Sequence, residues 1–367
     1  MATVNGARRA TAWLAVLLVV PVAGAAPAAA SPDPGPTGGY GDGGYGDGVE
    51  CGDVLTGEHR LTRDLVCAGV GLTLEGTATL DLAGHTLDGG GSGVAFLRTQ
   101  GPGTGDGSAR VHDGVVRGWD HGVREAVGGT TWGNDVERVT FEEVVTVFQN
   151  EEPYPGGMTV SMRDSEVTGA DVVFALGWSS ALQVSGSRLE RNDAVAEGGW
   201  GDYAFVDCVL VGNPQLVPGS GSQLTLVGND VRGTHEVVGS GWATATLTGN
   251  TFVDNGAVVA GTPLARVVHG NTFEGNRLGV GARGRHRPES PGAWDGPTEV
   301  AGNTFVGNHD AIWTSRGADV RLGENVVTRS SGWGIRAPGA RDLGGNRAWD
   351  NAREPQCTGV VCLGRAS

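Results

Sequence analysis

Gly249-Asn250-Thr251-Phe252-Val253-Asp254-Asn255 returns as Gly270-Asn271-Thr272-Phe273-Glu274-Gly275-Asn276 and again as Gly302-Asn303-Thr304-Phe305-Val306-Gly307-Asn308. Looser copies stand at Gly228-Asn229, Gly323 and Gly345-Asn346. One anchor residue per copy gives the series Ser165, Ser187, Cys208, Asn229, Asn250, Asn271, Asn303, Asn325 and Asn346, in steps of 21 or 22 residues apart from 32 between Asn271 and Asn303. Asp113 and Val139 extend it backwards in steps of 26. Self-similarity at a fixed period of this length marks a solenoid, in which each repeat contacts only its neighbours.

Two residues after each anchor stands an apolar residue: Val115, Phe141, Val167, Leu189, Leu210, Val231, Phe252, Phe273, Phe305 and Val327. A second apolar column runs through Val123, Val147, Val173, Val195, Val237, Val258, Val280, Ile312 and Ile335. Both lie in short alternating runs, the pattern of strands. The chain is therefore expected to be all-β, a single-stranded right-handed parallel β-helix of about ten or eleven coils between Cys67 and Asn346. Stacked coils place like positions about 4.8 Å apart. Asn229, Asn250, Asn271, Asn303, Asn325 and Asn346 then form a structural amide ladder, as stacked asparagines do in cross-β structures. Asn192, Asn213, Asn255, Asn276, Asn308 and Asn351 repeat it one corner on, and Cys208 occupies a buried ladder position.

Composition agrees. Glycine is 66 of 367 residues, well above the usual share of about 7%. Arg8 and Arg9 precede an apolar run from Trp13 to Val22 and then Ala28-Ala29-Ala30, the layout of a signal peptide over 1–30. Residues 31–48, with a doubled Tyr-Gly-Asp-Gly, have almost nothing to bury and read as a disordered linker. The β-helix domain is expected over 49–367. No later run is long enough to span a bilayer, so the protein is expected to be secreted, extracellular and monomeric. Five cysteines in an exported chain suggest two disulfides: Cys51 with Cys67 and Cys357 with Cys362, one staple at each end.

The formal charge is −15, and every one of the 26 basic residues is arginine. Such a surface repels phosphate backbones and polyuronates as a whole, which excludes nucleic acid as a partner. The missing lysines exclude any lysine base.

Cys51-Gly52, Leu61-Thr62-Arg63-Asp64-Leu65-Val66-Cys67 and Leu80-Asp81-Leu82-Ala83-Gly84-His85-Thr86-Leu87-Asp88-Gly89 resemble the N-terminal portion of secreted bacterial right-handed parallel β-helix repeat proteins. These belong to the pectate-lyase-like superfamily, with its NosD-like carbohydrate-binding and sugar-hydrolase modules. The resemblance spans Cys51 to Cys362 and implies the fold, together with binding of, or action on, extracellular polysaccharide by a hydrolase or lyase. It leaves open a non-catalytic glycan-binding or scaffold role, because one fold hosts many functions. Trp119-Asp120-His121 and Arg336-Ala337-Pro338-Gly339-Ala340-Arg341 resemble pectate lyase motifs, but their coils are about nine steps, or about 43 Å, apart.

The long insertions, Ala126 to Asn134, Asn150 to Met158 and Arg283 to Thr298, all precede an anchor and share one corner. Trp178, Trp200 and Trp242 follow their column valines by five residues at that corner. With Arg285 and Trp294 they are the candidate substrate-binding residues, since aromatic faces stack on sugar C–H groups. Asp171 and Asp193 each stand six residues after an anchor and are expected to stack on adjacent coils, with Glu197 nearby. They are the candidate catalytic carboxylates or, alternatively, oxygen ligands for Ca²⁺. His121, His235 and His309 have no second ligand at metal spacing, so no transition-metal site is expected.

Overall fold

The computed structural model describes residues 48–99, 107–125, 132–150, 157–177, 179–198, 201–217, 223–239, 244–261, 266–282 and 297–364. No helix occurs among them. Strands in the compact unit Asp47–Ser367 pair in parallel, each with its counterpart one coil on, to give a β-solenoid of about twelve turns. The signal peptide and nearly all of the linker predicted from sequence lie outside the described residues.

Three faces repeat along the chain. In one coil they are Thr244–Thr248, Thr251–Val253 and Ala257–Val259; in the next they are Arg266–His269, Thr272–Glu274 and Leu278–Ala282. Strands alternate inward and outward residues, and Thr251, Phe252 and Val253 pair with Thr272, Phe273 and Glu274 without slippage. Like side chains therefore land on like. The Phe252 and Phe273 rings stack at 5.2 Å and those of Phe273 and Phe305 at 4.4 Å, all fully buried. Each such ring removes enough apolar surface from water to contribute roughly 1.5–3 kcal/mol, before about 0.5–1.5 kcal/mol for the aromatic pairing.

The asparagines form the predicted ladder. The Asn229 backbone N–H and its Nδ2 both donate to Asn250 Oδ1 at 2.9 Å, and Nδ2 also donates to Phe205 O at 2.9 Å. The same set recurs from Asn250 to Asn271, Asn271 to Asn303, Asn303 to Asn325 and Asn325 to Asn346. A second ladder links Asn192 to Asn213, and Asn255 through Asn276 to Asn308. These amides satisfy buried backbone groups at corners where the chain leaves one sheet for the next. Cys208 is free and buried in the first ladder, its Sγ facing Val184 O and Val206 O, and burial pushes its thiol up to about 11.

Two readings shift by one residue. Gly114, not Asp113, pairs with Val139, and fully buried Val116 takes the inward place assigned to Val115. The reason is steric: a Cβ at Gly114 would lie 2.3 Å from Leu82 Cβ, while Asp113 adopts φ 62° just before it. The second apolar column is two adjacent rows, because the third face buries consecutive residues. Val237 and Val258 belong to one, whereas Val280, Ile312 and Ile335 follow Val238 and Val259 in the other.

Both predicted disulfides are present, Cys51–Cys67 and Cys357–Cys362. Trp119 of the pectate-lyase-like fragment is a core residue, donating through Nε1 to Leu87 O at 3.0 Å. Gly71 and Gly89 leave room for its indole, since a Cβ at either would fall under 3 Å from the ring.

Candidate functional site

The first face of the early coils carries an outward column in which acidic and basic residue types alternate: Arg60 pairs with Asp81, Asp81 with His112, His112 with Glu137 and Glu137 with Arg163. Opposite charges on adjacent strands are favourable neighbours. Arg60 Nη1 lies 2.9 Å from Asp81 Oδ2, and Arg163 Nη2 lies 3.3 Å from Glu137 Oε2 and 3.0 Å from Asp135 Oδ2. Arg110 and Arg138 also pair with Glu137.

His112 is the centre of this row. Its Nδ1 lies 2.7 Å from Asp113 Oδ2 and 3.7 Å from Asp81 Oδ1, and its side chain is 18% exposed. Arg138 clamps Asp113 from the next coil, donating from Nε to Oδ1 at 2.5 Å and from Nη2 to Oδ2 at 2.9 Å. The Arg138 guanidinium, followed by His112, holds the Asp113 carboxyl well below the usual carboxylate range. Asp113 and Arg138 both sit at left-handed backbone positions, φ 62° and 53°, which turn their side chains sideways into the row. Such positions are uncommon for residues other than glycine. A carboxylate fixed against Nδ1 selects the tautomer with a proton on that nitrogen, leaving Nε2 to accept or return a proton.

Asp81, His112 and Asp113 also place three ligand atoms within 4.8 Å of one another, the one such grouping among the described residues. The donor set does not favour a cation. Arg60 and Arg138 already neutralise both carboxylates, so an ion there would sit beside two guanidiniums.

Asp171 and Asp193 are exposed on successive coils, linked by the Ala194 N–H donating to Asp171 O at 2.9 Å. Glu197 is exposed further along the third face and pairs in register with Ala175. The structure thus brings Asp171 and Asp193 to one edge, away from His112. Trp178, Trp200, Trp242, Arg285 and Trp294 lie outside the described residues. The described strands that precede the three insertions, Ser108–Glu125, Trp132–Asn150 and Leu278–Ala282, each end a third-face stretch before a first-face strand begins.

At the end of the third-face stretch an arginine and a glutamate are buried together. Arg98 and Glu125 face inward one coil apart, 1% and 5% exposed. Arg98 Nη1 donates to Leu74 O at 2.9 Å and Gly76 O at 3.2 Å, and Asn134 Nδ2 lies 3.5 Å from Glu125 Oε1. Burial pushes the Glu125 carboxyl up to about 7 against the opposing pull of Arg98.

Fold and row together define a parallel β-helix protein with a carboxylate-held histidine on an outer face. No family model matches the chain, and no curated protein matches it by sequence. Among solved structures it is similar to the A-module of mannuronan C-5 epimerase AlgE6 from Azotobacter vinelandii, with TM-score 0.41 and 13% identity over 85% of this chain and 91% of that one. It is similar at TM-score 0.41 and 11% identity to the alginate lyase AlyF-OU02 solved with G6, over 86% and 82% of the two chains. An Acinetobacter phage tailspike, vb_AbaP_AS12 gp42, overlaps at TM-score 0.33 and 8% identity, covering 86% of this chain and 58% of its own. Likeness of this depth reflects coil stacking and assigns no residue a role.

Proposed function

We propose that this is a secreted β-helix protein that binds and processes an extracellular polysaccharide, as a hydrolase or lyase, at the row centred on His112. The observation that carries this reading is the dyad of His112 and Asp113, locked by Arg138 on an outer face. An extended chain lying along the stack would present a ring to His112 Nε2, which moves the proton. Arg60, Arg110 and Arg163 are committed to carboxylates, so the row suits neutral or weakly charged sugars through hydrogen bonds. The tryptophans of the loop corner are assigned the sugar-stacking role read from the sequence, and Arg285 that of a substrate-facing wall.

A glycan panel with reducing-sugar and unsaturated-product readouts tests this. His112→Gln should lower turnover at least about 100-fold, the scale of general acid/base catalysis, with an unchanged melting temperature. Turnover that survives this substitution would sink the assignment. Binding without turnover would instead favour a non-catalytic glycan-binding module. A second reading gives the proton transfer to Asp171, Asp193 and Glu197, supported by the stacking of the two aspartates. Loss of turnover in Asp193→Asn but not in His112→Gln would favour it, and a calcium requirement at those oxygens would appear as loss on chelation.

A further inference from the structure

Among the described residues two arginines are fully buried, Arg98 and Arg266. Both lie where a third-face strand gives way to a first-face strand, and both donate to backbone carbonyls there. Arg98 reaches Leu74 O and Gly76 O, and its register partner on the next coil is the buried Glu125. Arg266 donates from Nη1 to Ala260 O and from Nη2 to Gly239 O, each at 3.2 Å. Its register partners are Ala245 on the coil before and Thr298 on the coil after, and neither supplies a charge. Among the described residues Arg266 forms no salt bridge. The carboxylate whose charge it feels is Glu236, half-buried and placed against Gly239.

A guanidinium carries five N–H donors and no acceptor. The two carbonyls use two of them, and Nε, closed off from solvent, has no partner. Thr298 Oγ1, on the register partner, is likewise enclosed and without a partner. Burial pushes the Arg266 guanidinium down to about 10, so it keeps its proton at neutral pH. A buried charge is stable where it is paired, and one left uncompensated is strongly destabilising. Glu125 meets that need beside Arg98; beside Arg266 an unmatched cation faces an unmatched hydroxyl on the adjacent coil. We propose that Arg266 and Thr298 hold a small inorganic anion, a halide of chloride size, which accepts from Nε–H and from Oγ1–H between the two coils. With both residues 1% exposed, the spot admits nothing as large as a sugar, which separates it from the polysaccharide reading and from the His112 row. The ion joins the two first-face strands on either side of the 32-residue step, Arg266–His269 and Thr298–Ala301.

Thermal melting of the full chain provides the test, with chloride replacing methanesulfonate at fixed pH and ionic strength so that general screening stays constant. An ion that binds only the folded state stabilises it by mass action. The melting temperature should rise saturably with chloride, and bromide should substitute for it. Arg266→Met, which keeps an apolar stem and removes the charge, should abolish the dependence. Thr298→Val keeps the shape and the arginine, guards against a failure of the first variant to fold, and should lower chloride affinity at least about tenfold, the scale of one hydrogen bond to a charged group. Glu236→Gln should leave the dependence in place. Crystals soaked in bromide should show an anomalous peak between Arg266 Nε and Thr298 Oγ1. A melting temperature indifferent to halide, unchanged chloride affinity in Thr298→Val, or no bromide peak at that spot overturns the proposal. A dependence that arises only in Glu236→Gln would make Glu236 the counterion and overturn it equally.

Discussion

Cys208 shows what a single ladder position contributes. Its backbone N–H donates to Asn229 Oδ1 at 2.9 Å as an asparagine would, but its thiol reaches Val184 O only at 3.5 Å, where the next rung's Nδ2 reaches Phe205 O at 2.9 Å. A thiol is a weak donor and a carboxamide a strong one. Cys208→Asn should therefore raise the melting temperature by a few degrees, equivalent to about 1 kcal/mol for a regained buried hydrogen bond. A lower melting temperature would mean that the site has closed around sulfur. The asparagines were legible in the sequence because their spacing is periodic. His112 was not, because Asp81, and Arg138 that holds its neighbour Asp113, lie 31 and 26 residues from it across coils of unequal length, and only the register of the early coils brings them together.

At the scale of strands, the corner between third and first faces deserves a pH experiment. Glu125 has its folded pKa raised to about 7 by burial, so the folded state holds a proton that the unfolded chain releases near the ordinary carboxylate value. The associated stability is present at acid pH and is lost as pH rises through about 7. Glu125→Gln should flatten that slope between pH 5 and 8, within the ~2.3RT per pH unit that one proton can contribute. A slope that persists in the variant would assign it to another group. This pair was invisible in the sequence, since Arg98 and Glu125 stand in strands whose other buried side chains are Val, Ala, Phe and Trp. Strand alternation predicts which positions face inward, not which of them hold a charge.

Over the whole molecule, stability is a sum over neighbouring coils. The terminal coils have one neighbour each, and the disulfides lie there: Cys51–Cys67 beside Val54–Arg60, and Cys357–Cys362 beside Arg347–Trp349. Reduction should release the ends first. Hydrogen exchange after reduction should show protection lost over 54–75 and 341–363 while 188–274 stays protected; simultaneous loss throughout would show a single cooperative unit instead. The central coils were the most legible part of the chain because nothing interrupts their 21-residue step. Beyond Asn271 the 32-residue coil keeps the anchor in phase, Thr272, Phe273 and Glu274 pairing in register with Thr304, Phe305 and Val306.

The ladders also give the molecule a polarity. Backbone hydrogen bonds between parallel coils run in both directions along the axis, so their dipoles largely cancel. The carboxamide oxygens do not alternate: each accepts from the coil before it, while each amide gives one hydrogen to the oxygen of the coil after it and the other to a backbone carbonyl of the coil before. Summed over two parallel rows, these dipoles put a partial positive pole at the C-terminal end, much as aligned peptide units do at a helix N-terminus. The last amide of each row meets acidic chemistry there: Asn346 Nδ2 lies 3.2 Å from Asp342 Oδ1, and Asn351 donates to Gln356, which donates in turn to Glu354. The asparagine columns that hold the coils together therefore also orient a field along the axis, and that field is terminated by carboxylates at the C-terminal end.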